Sequence, residues 1–213
     1  HLILKPGESA ILLKNYQLQD EIPEKPAYHY SQIQDMTDAF QFEKADPNGL
    51  PIDLACISKD GIHFEKPHPV WEICERLMRE VYEGELWVKH LFEVDGYTGK
   101  MNLMLEDSRQ KELALNGERL YPKTGNFDPL FLQCDITDKI REGENELCYQ
   151  LYWHQDNRVR TALFDPESTE SLSNCLTFDS EIEPVYLLGD FEVDEKRRIR
   201  KPEKKISIRD ITG

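Results

Sequence analysis

The clearest strand pattern in this chain is Leu86-Trp87-Val88-Lys89-His90-Leu91-Phe92-Glu93-Val94. Its even-numbered positions carry Leu86, Val88, Phe92 and Val94, whereas the charged Lys89 and Glu93 occupy odd-numbered positions. Because successive side chains of a strand point to opposite faces, this alternation predicts a strand with one face in a core. We therefore expect the fold to be built around this strand.

Three further alternating segments follow, at Met101–Leu105, Leu113–Leu115 and Leu147–Trp153. Asn116-Gly117 is expected to close the second of them into a hairpin, because both residues tolerate the positive φ of a type I′ turn. Short strands separated by turn signals, with no helix between most of them, predict a mainly β fold, an antiparallel β-sandwich.

The order and spacing of the segments resemble those of a known domain family. The matching pieces are Leu86–Val94, Leu113–Glu118, Cys134–Ile140 running into Gly143–Leu147, and Ile182–Phe191. They resemble the jelly-roll sugar-binding domain of glycoside hydrolase family 2 and the galactose-binding-like sandwiches of family 2-like and α-L-rhamnosidase-like glycosidases. The resemblance implies a galactose-binding-like jelly roll and a large glycoside hydrolase as the parent protein. In that family the catalytic acids lie in a separate barrel domain, so no catalytic residue is implied here.

One covering helix is predicted over residues 69–84. Its apolar positions form one continuous stripe at helical spacing, made of Val70, Ile73, Cys74, Leu77, Met78 and Val81. Pro69 suits the first helical turn and Gly84 suits the C-terminal cap. We expect the helix to cover an edge or an end of the sandwich.

Three parts are predicted along the chain. Residues 1–27, with a hairpin around Pro6-Gly7 and a polar segment after it, are interpreted as the end of a preceding domain and a linker. Residues 28–195 are assigned to the sandwich and 196–213 to the start of a connection to the next domain. The sequence opens without Met and within a strand pattern, which predicts a piece of a longer protein.

Shorter strands are predicted outside the segments described above. They lie at 40–42, 50–58, 62–64, 158–163, 175–180, 185–193 and 206–208. Residues 165–174 are rich in Ser and Glu and are expected to form a loop.

The charge of the chain argues against nucleic acid and anionic membrane as partners. Its 213 residues have a formal net charge of −15, and phosphate binding requires clustered Lys and Arg. The one basic run, Lys196–Lys205, is flanked by acidic residues and is interpreted as a solvated strand pair or loop.

The cysteines predict reduced thiols. Five of them are widely scattered and form no C-x-x-C pair, namely Cys56, Cys74, Cys134, Cys148 and Cys175. Such usage favours a cytoplasmic location.

Paired carboxylates are the groups that glycoside hydrolysis needs. Asp179, Glu181 and Glu183 share one parity, so on a strand they would lie about 7 Å apart. Neighbours on one strand seldom have the two different environments that an acid and a base require. A solvated face or a contact to a neighbouring domain is therefore favoured, and a self-contained hydrolase is the least favoured alternative.

A sugar site requires an aromatic ring beside hydrogen-bonding groups. Trp153, His154, Asp156 and Asn157 supply that mixture where a strand runs into a loop, and they are the predicted substrate-binding residues. Trp153 also continues the apolar parity of its strand, so a place in the core remains the favoured alternative for it.

No cofactor is predicted, although domains of the resembled family often hold a structural Ca²⁺. Asp95, Gly96, Asp156 and Asn157 offer oxygen ligands in loops, but no EF-hand pattern is present and ordinary turn chemistry is favoured.

The sequence thus favours a non-catalytic, carbohydrate-associated module that supports the active site of a neighbouring catalytic domain. Its expected partners are neighbouring domains of the same polypeptide and an oligosaccharide. A structural or protein-interaction spacer without a sugar site is the alternative.

Overall fold

The computed structural model describes residues 9, 34–36, 39, 46–107, 109–125 and 128–202. The chain forms two compact units, His1–Phe40 and Gln41–Gly213, and the fold described below belongs to the second. The predicted strands at 40–42 and 206–208 and the hairpin around Pro6-Gly7 lie outside the described residues.

The second unit is mainly β. Its helices are α1 (Val70–Arg79), α2 (Asn157–Phe164) and α3 (Glu170–Asn174). Its strands are β1 (Asn48–Ile52), β2 (Leu54–Ser58), β3 (His68–Pro69), β4 (Gly84–Asp95), β5 (Met101–Glu106), β6 (Lys111–Leu115), β7 (Glu118–Arg119), β8 (Lys123–Thr124), β9 (Phe131–Asp135), β10 (Gly143–Trp153), β11 (Val185–Gly189), β12 (Glu192–Val193) and β13 (Arg198–Arg200).

Two antiparallel sheets confirm the predicted β-sandwich class. One sheet has the order β1-β11-β5-β9-β8, and the other has the order β12-β13-β4-β10-β6-β7, with β2 also pairing with β4 and β3. Only the contact between β13 and β4 is parallel among the described strand pairs. Side chains from both sheets and from α1 share one hydrophobic core.

The predicted central strands pair with each other. β10 pairs antiparallel with β4 over the whole length of β10, from Gly143 opposite Val94 to Trp153 opposite Gly84. The even positions of β4 and the odd positions of β10 are buried, as the alternation predicts. Asn116 and Gly117 have φ values of 52° and 82°, which confirms the predicted hairpin turn.

The predicted helix ends earlier than the sequence suggests. Val70, Ile73, Leu77 and Met78 are buried as expected. However, the cap is Glu80, and Val81 has a φ of 54° that takes the backbone out of the helix. Gly84 belongs to β4 rather than to a helix cap, because it pairs with the end of β10.

Several shorter predictions are wrong. Residues 158–163 belong to α2 instead of a strand, because Asp156 caps the helix and Val159 and Ala162 face the interior at helical spacing. Residues 62–64 and 175–180 form no strand, and part of the predicted loop at 165–174 is α3. β13 extends the second sheet beyond position 195, where the sequence places the end of the sandwich.

Among the described residues, no helix has both the length and the apolar composition needed to span a membrane.

His90 is a buried polar residue on the core side of β4. Its Nδ1 lies 3.1 Å from the carbonyl oxygen of Leu54, and its Nε2 lies 3.4 Å from the hydroxyl of Tyr149. Burial lowers the pKa of His90 to about 4, so the folded protein holds this imidazole neutral.

We expect His90 to make stability depend on pH. An unfolded histidine has a pKa near 6.5, so the unfolded state gains a proton first as the pH falls. The free energy of unfolding should therefore fall between about pH 6.5 and pH 4, by up to about 3 kcal/mol. Urea unfolding of wild type and His90→Gln across this range measures the effect. The exposed His154→Gln is the control; an equal pH dependence in wild type and His90→Gln would contradict the assignment.

Candidate functional site

Trp153 lies in the core. Its side chain is 0% exposed, and a sugar platform requires an accessible ring face. Because it is buried, the Trp153 ring cannot serve as the predicted platform. The alternative interpretation, a place in the core, is the one that the structure shows. Its indole N–H has no hydrogen-bond partner among the described residues, which is uncommon for a buried donor.

Gln155 anchors the chain after β10. It is buried, and its side-chain amide donates to the carbonyl of Ser180 and accepts from the backbone N–H of Asp179 at 3.1 Å. The backbone N–H of Asp156 donates to a carboxylate oxygen of Asp179 at 2.8 Å. These bonds hold the segment 178–184 against the end of β10.

The other predicted site residues are brought together, but local bonds occupy them. His154 is exposed, and its backbone N–H donates to the Ser180 hydroxyl at 3.2 Å. The Asp156 carboxylate accepts from the Arg158 backbone N–H at 2.7 Å, and this bond holds the pKa of Asp156 below its usual range. The Asn157 side-chain oxygen accepts from Arg160 at 3.4 Å. Asp156 thus serves first as the cap of α2.

Two cavities lie on this part of the sandwich. The first, here the helix cleft, has a volume of about 790 Å³ between α2, α3 and the segment after α3, and its lining includes Asp156 and Asn157. The second, here the Trp71 cleft, has a volume of about 440 Å³ between α1, the end of β10 and residues 178–184. The Trp71 cleft is lined by Asp53, Val70, Trp71, Cys74, Met78, Trp153, Gln155, Phe178, Ser180, Glu181, Ile182, Glu183 and Pro184.

Trp71 supplies the exposed aromatic ring that Trp153 does not. Its side chain is 67% exposed, although α1 otherwise carries acidic and basic residues outside its buried stripe. Sequence reasoning missed it. The available signal was a tryptophan outside the apolar stripe of an amphipathic helix, since a residue of that size is usually buried.

Two half-buried carboxylates face the same cleft. Burial raises the pKa values of Glu181 and Glu183 above the usual range, and neighbouring carboxylates, including Glu106, raise them further. Neither side chain makes a hydrogen bond or ion pair with another described residue. The third acid, Asp53, differs because it pairs with Arg197 at 3.3 Å.

The three acids Asp179, Glu181 and Glu183 do not share one face of a strand, because residues 179–183 form no strand. Asp179 lines the helix cleft, whereas Glu181 and Glu183 line the Trp71 cleft. Two lining residues of the Trp71 cleft are in contact, since the Cys74 thiol donates to the carbonyl of Ile182 at 3.7 Å.

The candidate calcium ligands do not fit a bound cation. Asp95 is already paired with Arg198 at 2.8 Å and Arg200 at 3.2 Å, and Asp156 caps α2. They lie at opposite ends of β10, which strand geometry separates by about 30 Å. Within the described ranges, no group of three or more His, Cys, Asp or Glu side chains is placed to hold a metal ion.

The chain is similar to solved structures of β-glucuronidase from Ruminococcus gnavus. The complex with N1-substituted uronic isofagomine is 12% identical with a TM-score of 0.43, and the match covers 75% of this chain and 34% of the enzyme. Another structure of the same enzyme is 14% identical with a TM-score of 0.44, covering 72% of this chain and 30% of the enzyme. The chain thus spans about a third of the length of these enzymes. No protein-family model and no curated protein sequence matches it.

Proposed function

We propose that this chain is a non-catalytic β-sandwich module of a larger glycoside hydrolase and that its Trp71 cleft contacts glycan. The observation that supports glycan contact is the exposed ring of Trp71 beside a cavity with both apolar and hydrogen-bonding walls. The order of the sandwich segments, which resembles sugar-binding domains of such enzymes, supports the parent class.

The chemistry of the cleft suits a sugar ring. A pyranose has apolar C–H faces and polar hydroxyl edges, so a site needs an aromatic surface next to donors and acceptors. Trp71 and Phe178 offer aromatic surface, and Ser180, Glu181 and Glu183 offer polar groups. In the parent protein, this contact would hold substrate beside the active site of a neighbouring catalytic domain.

Glycan binding tests the proposal directly. An array screen followed by calorimetry on the 213-residue chain should identify a glycan that binds, and Trp71→Ala should weaken that binding by at least about tenfold. Because Trp71 is exposed, the variant should keep its thermal midpoint. Trp71→Phe should retain part of the affinity through its smaller ring.

Tyr121→Ala is the matched control, since Tyr121 is an exposed aromatic residue that does not line the cleft. It should leave affinity unchanged. An unchanged affinity in Trp71→Ala would remove the glycan role of the cleft.

A structural spacer without a sugar site is the second candidate, and the burial of Trp153 favours it. It predicts that no glycan on the array binds the wild-type chain.

A further inference from the structure

The charge of the Trp71 cleft restricts the glycan that it could bind. Its described lining residues include three carboxylates and no Lys, Arg or His. Arg197 neutralises Asp53, which leaves Glu181 and Glu183 facing the cleft with no ion pair to a described residue. The preferred ligand should therefore carry positive charge.

A second observation points to a ligand in the same place. Trp153 lines the cleft, is fully buried, and has an indole N–H without a partner among the described residues. A buried donor without an acceptor is destabilising, because it has lost its hydrogen bond to water and gained none in return. Because this N–H is fully covered in the free chain, a sugar hydroxyl would supply the missing acceptor only if ligand binding moves the cleft residues that cover it.

The aromatic residues favour the same charge. A cation near the face of a tryptophan is attracted by the ring quadrupole, and the attraction grows as water is excluded. Trp71 and Phe178 both line the cleft that holds the two free carboxylates. An ammonium group bound in the cleft would thus have both aromatic rings and carboxylates among the residues around it.

We propose, building on the glycan role proposed above, that the Trp71 cleft selects amino sugars whose amine is free and protonated. The ammonium group lies against Glu181 and Glu183, a ring C–H face stacks on Trp71, and a hydroxyl accepts from Trp153. Uronic acids and sulfated sugars are disfavoured, because like charges at close range repel strongly where solvent is partly excluded.

Calorimetry with four oligosaccharides of equal length tests this selectivity. The probes are a glucosamine oligomer, its N-acetylated counterpart, a glucose oligomer and a galacturonic acid oligomer. We expect the glucosamine oligomer to bind at least about tenfold more tightly than the N-acetylated one, because one well-placed charge interaction changes affinity by about that factor. The uronic acid oligomer should show no binding.

The double variant Glu181→Gln/Glu183→Gln isolates the role of these carboxylates. It should lower affinity for the glucosamine oligomer far more than affinity for the N-acetylated oligomer, so that the roughly tenfold preference between the two is lost. Trp71→Ala should weaken both.

The net charge of −15 could attract any cation, so a matched control is needed. Glu93 and Glu144 are exposed acids that lie opposite each other on β4 and β10. Glu93→Gln/Glu144→Gln makes the same change in charge, and at physiological salt, where the screening length is about 8 Å, it should not alter binding.

The results separate the two proposals. Equal affinity for the glucosamine and N-acetylated oligomers, or an equal loss in both double variants, overturns the amino-sugar inference while the glycan role stands. If none of the oligosaccharides on the array or in calorimetry binds, both proposals fail.

Discussion

Trp153→Ala is expected to lower the free energy of unfolding by about 3–5 kcal/mol, the range for deleting a large buried aromatic side chain. Trp153 is fully buried at the end of β10, where it pairs with the first residue of β4. Removing the indole leaves a void between the sheet and the residues of the Trp71 cleft. Urea unfolding followed by circular dichroism measures the loss without relying on tryptophan fluorescence.

Tyr152→Ala is the control for this prediction. Tyr152 is the preceding residue of β10, but its side chain is 49% exposed, so its removal should cost less than about 1 kcal/mol. Trp153→Phe should fall between the two, because it keeps most of the ring volume and removes the donor that lacks a partner. Equal losses in Trp153→Ala and Tyr152→Ala would contradict the burial of Trp153.

Asn145→Ala should destabilise the protein by about 4 kcal/mol, at about 1 kcal/mol for each of four hydrogen bonds. Asn145 is fully buried on β10. Its side-chain oxygen accepts from the Asn116 amide at 2.9 Å and from the Arg141 backbone N–H at 2.7 Å. Its amide donates to the carbonyls of Arg141 at 2.7 Å and Gly143 at 3.0 Å. The side chain therefore ties the β6–β7 turn to the loop before β10.

Thermal unfolding checks this prediction, since a loss of about 4 kcal/mol in a domain of this size lowers the midpoint by about 8–16 °C. Gln150→Ala is the matched control, because it removes an amide from the less buried face of the same strand. Asn145→Asp should also be strongly destabilised, since a carboxylate cannot donate to the two carbonyls. A midpoint shift in Asn145→Ala no larger than in Gln150→Ala would refute the role of this network.

The sandwich could be predicted because apolar and polar residues alternate along each of its central strands. In β4 and β10 one face is apolar and the other polar, and a slip of one residue would exchange the two faces. The turn at Asn116-Gly117 was likewise predictable, because positive φ is a property of those two residues. The hydrogen bond between the Asn116 and Asn145 side chains was not predictable, because the two residues come together only when β6 pairs with β10.

The element after β10 shows where local pattern is insufficient. Residues 158–163 alternate as a strand would, yet the chain forms α2 because Asp156 caps it and two apolar residues at helical spacing reach the interior. A short apolar segment is compatible with both structures until its surroundings are known.

From the sequence alone one could derive the antiparallel sandwich, its two central strands, the Asn116-Gly117 turn and the face of α1 that is buried. The tertiary structure alone decided which tryptophan is accessible and which carboxylates share a cleft. The Trp71 cleft joins α1, the end of β10 and residues 178–184, which are far apart in the chain. Alternation reports only whether a side chain faces inward or outward, whereas a binding site depends on distances between segments that pairing and packing establish.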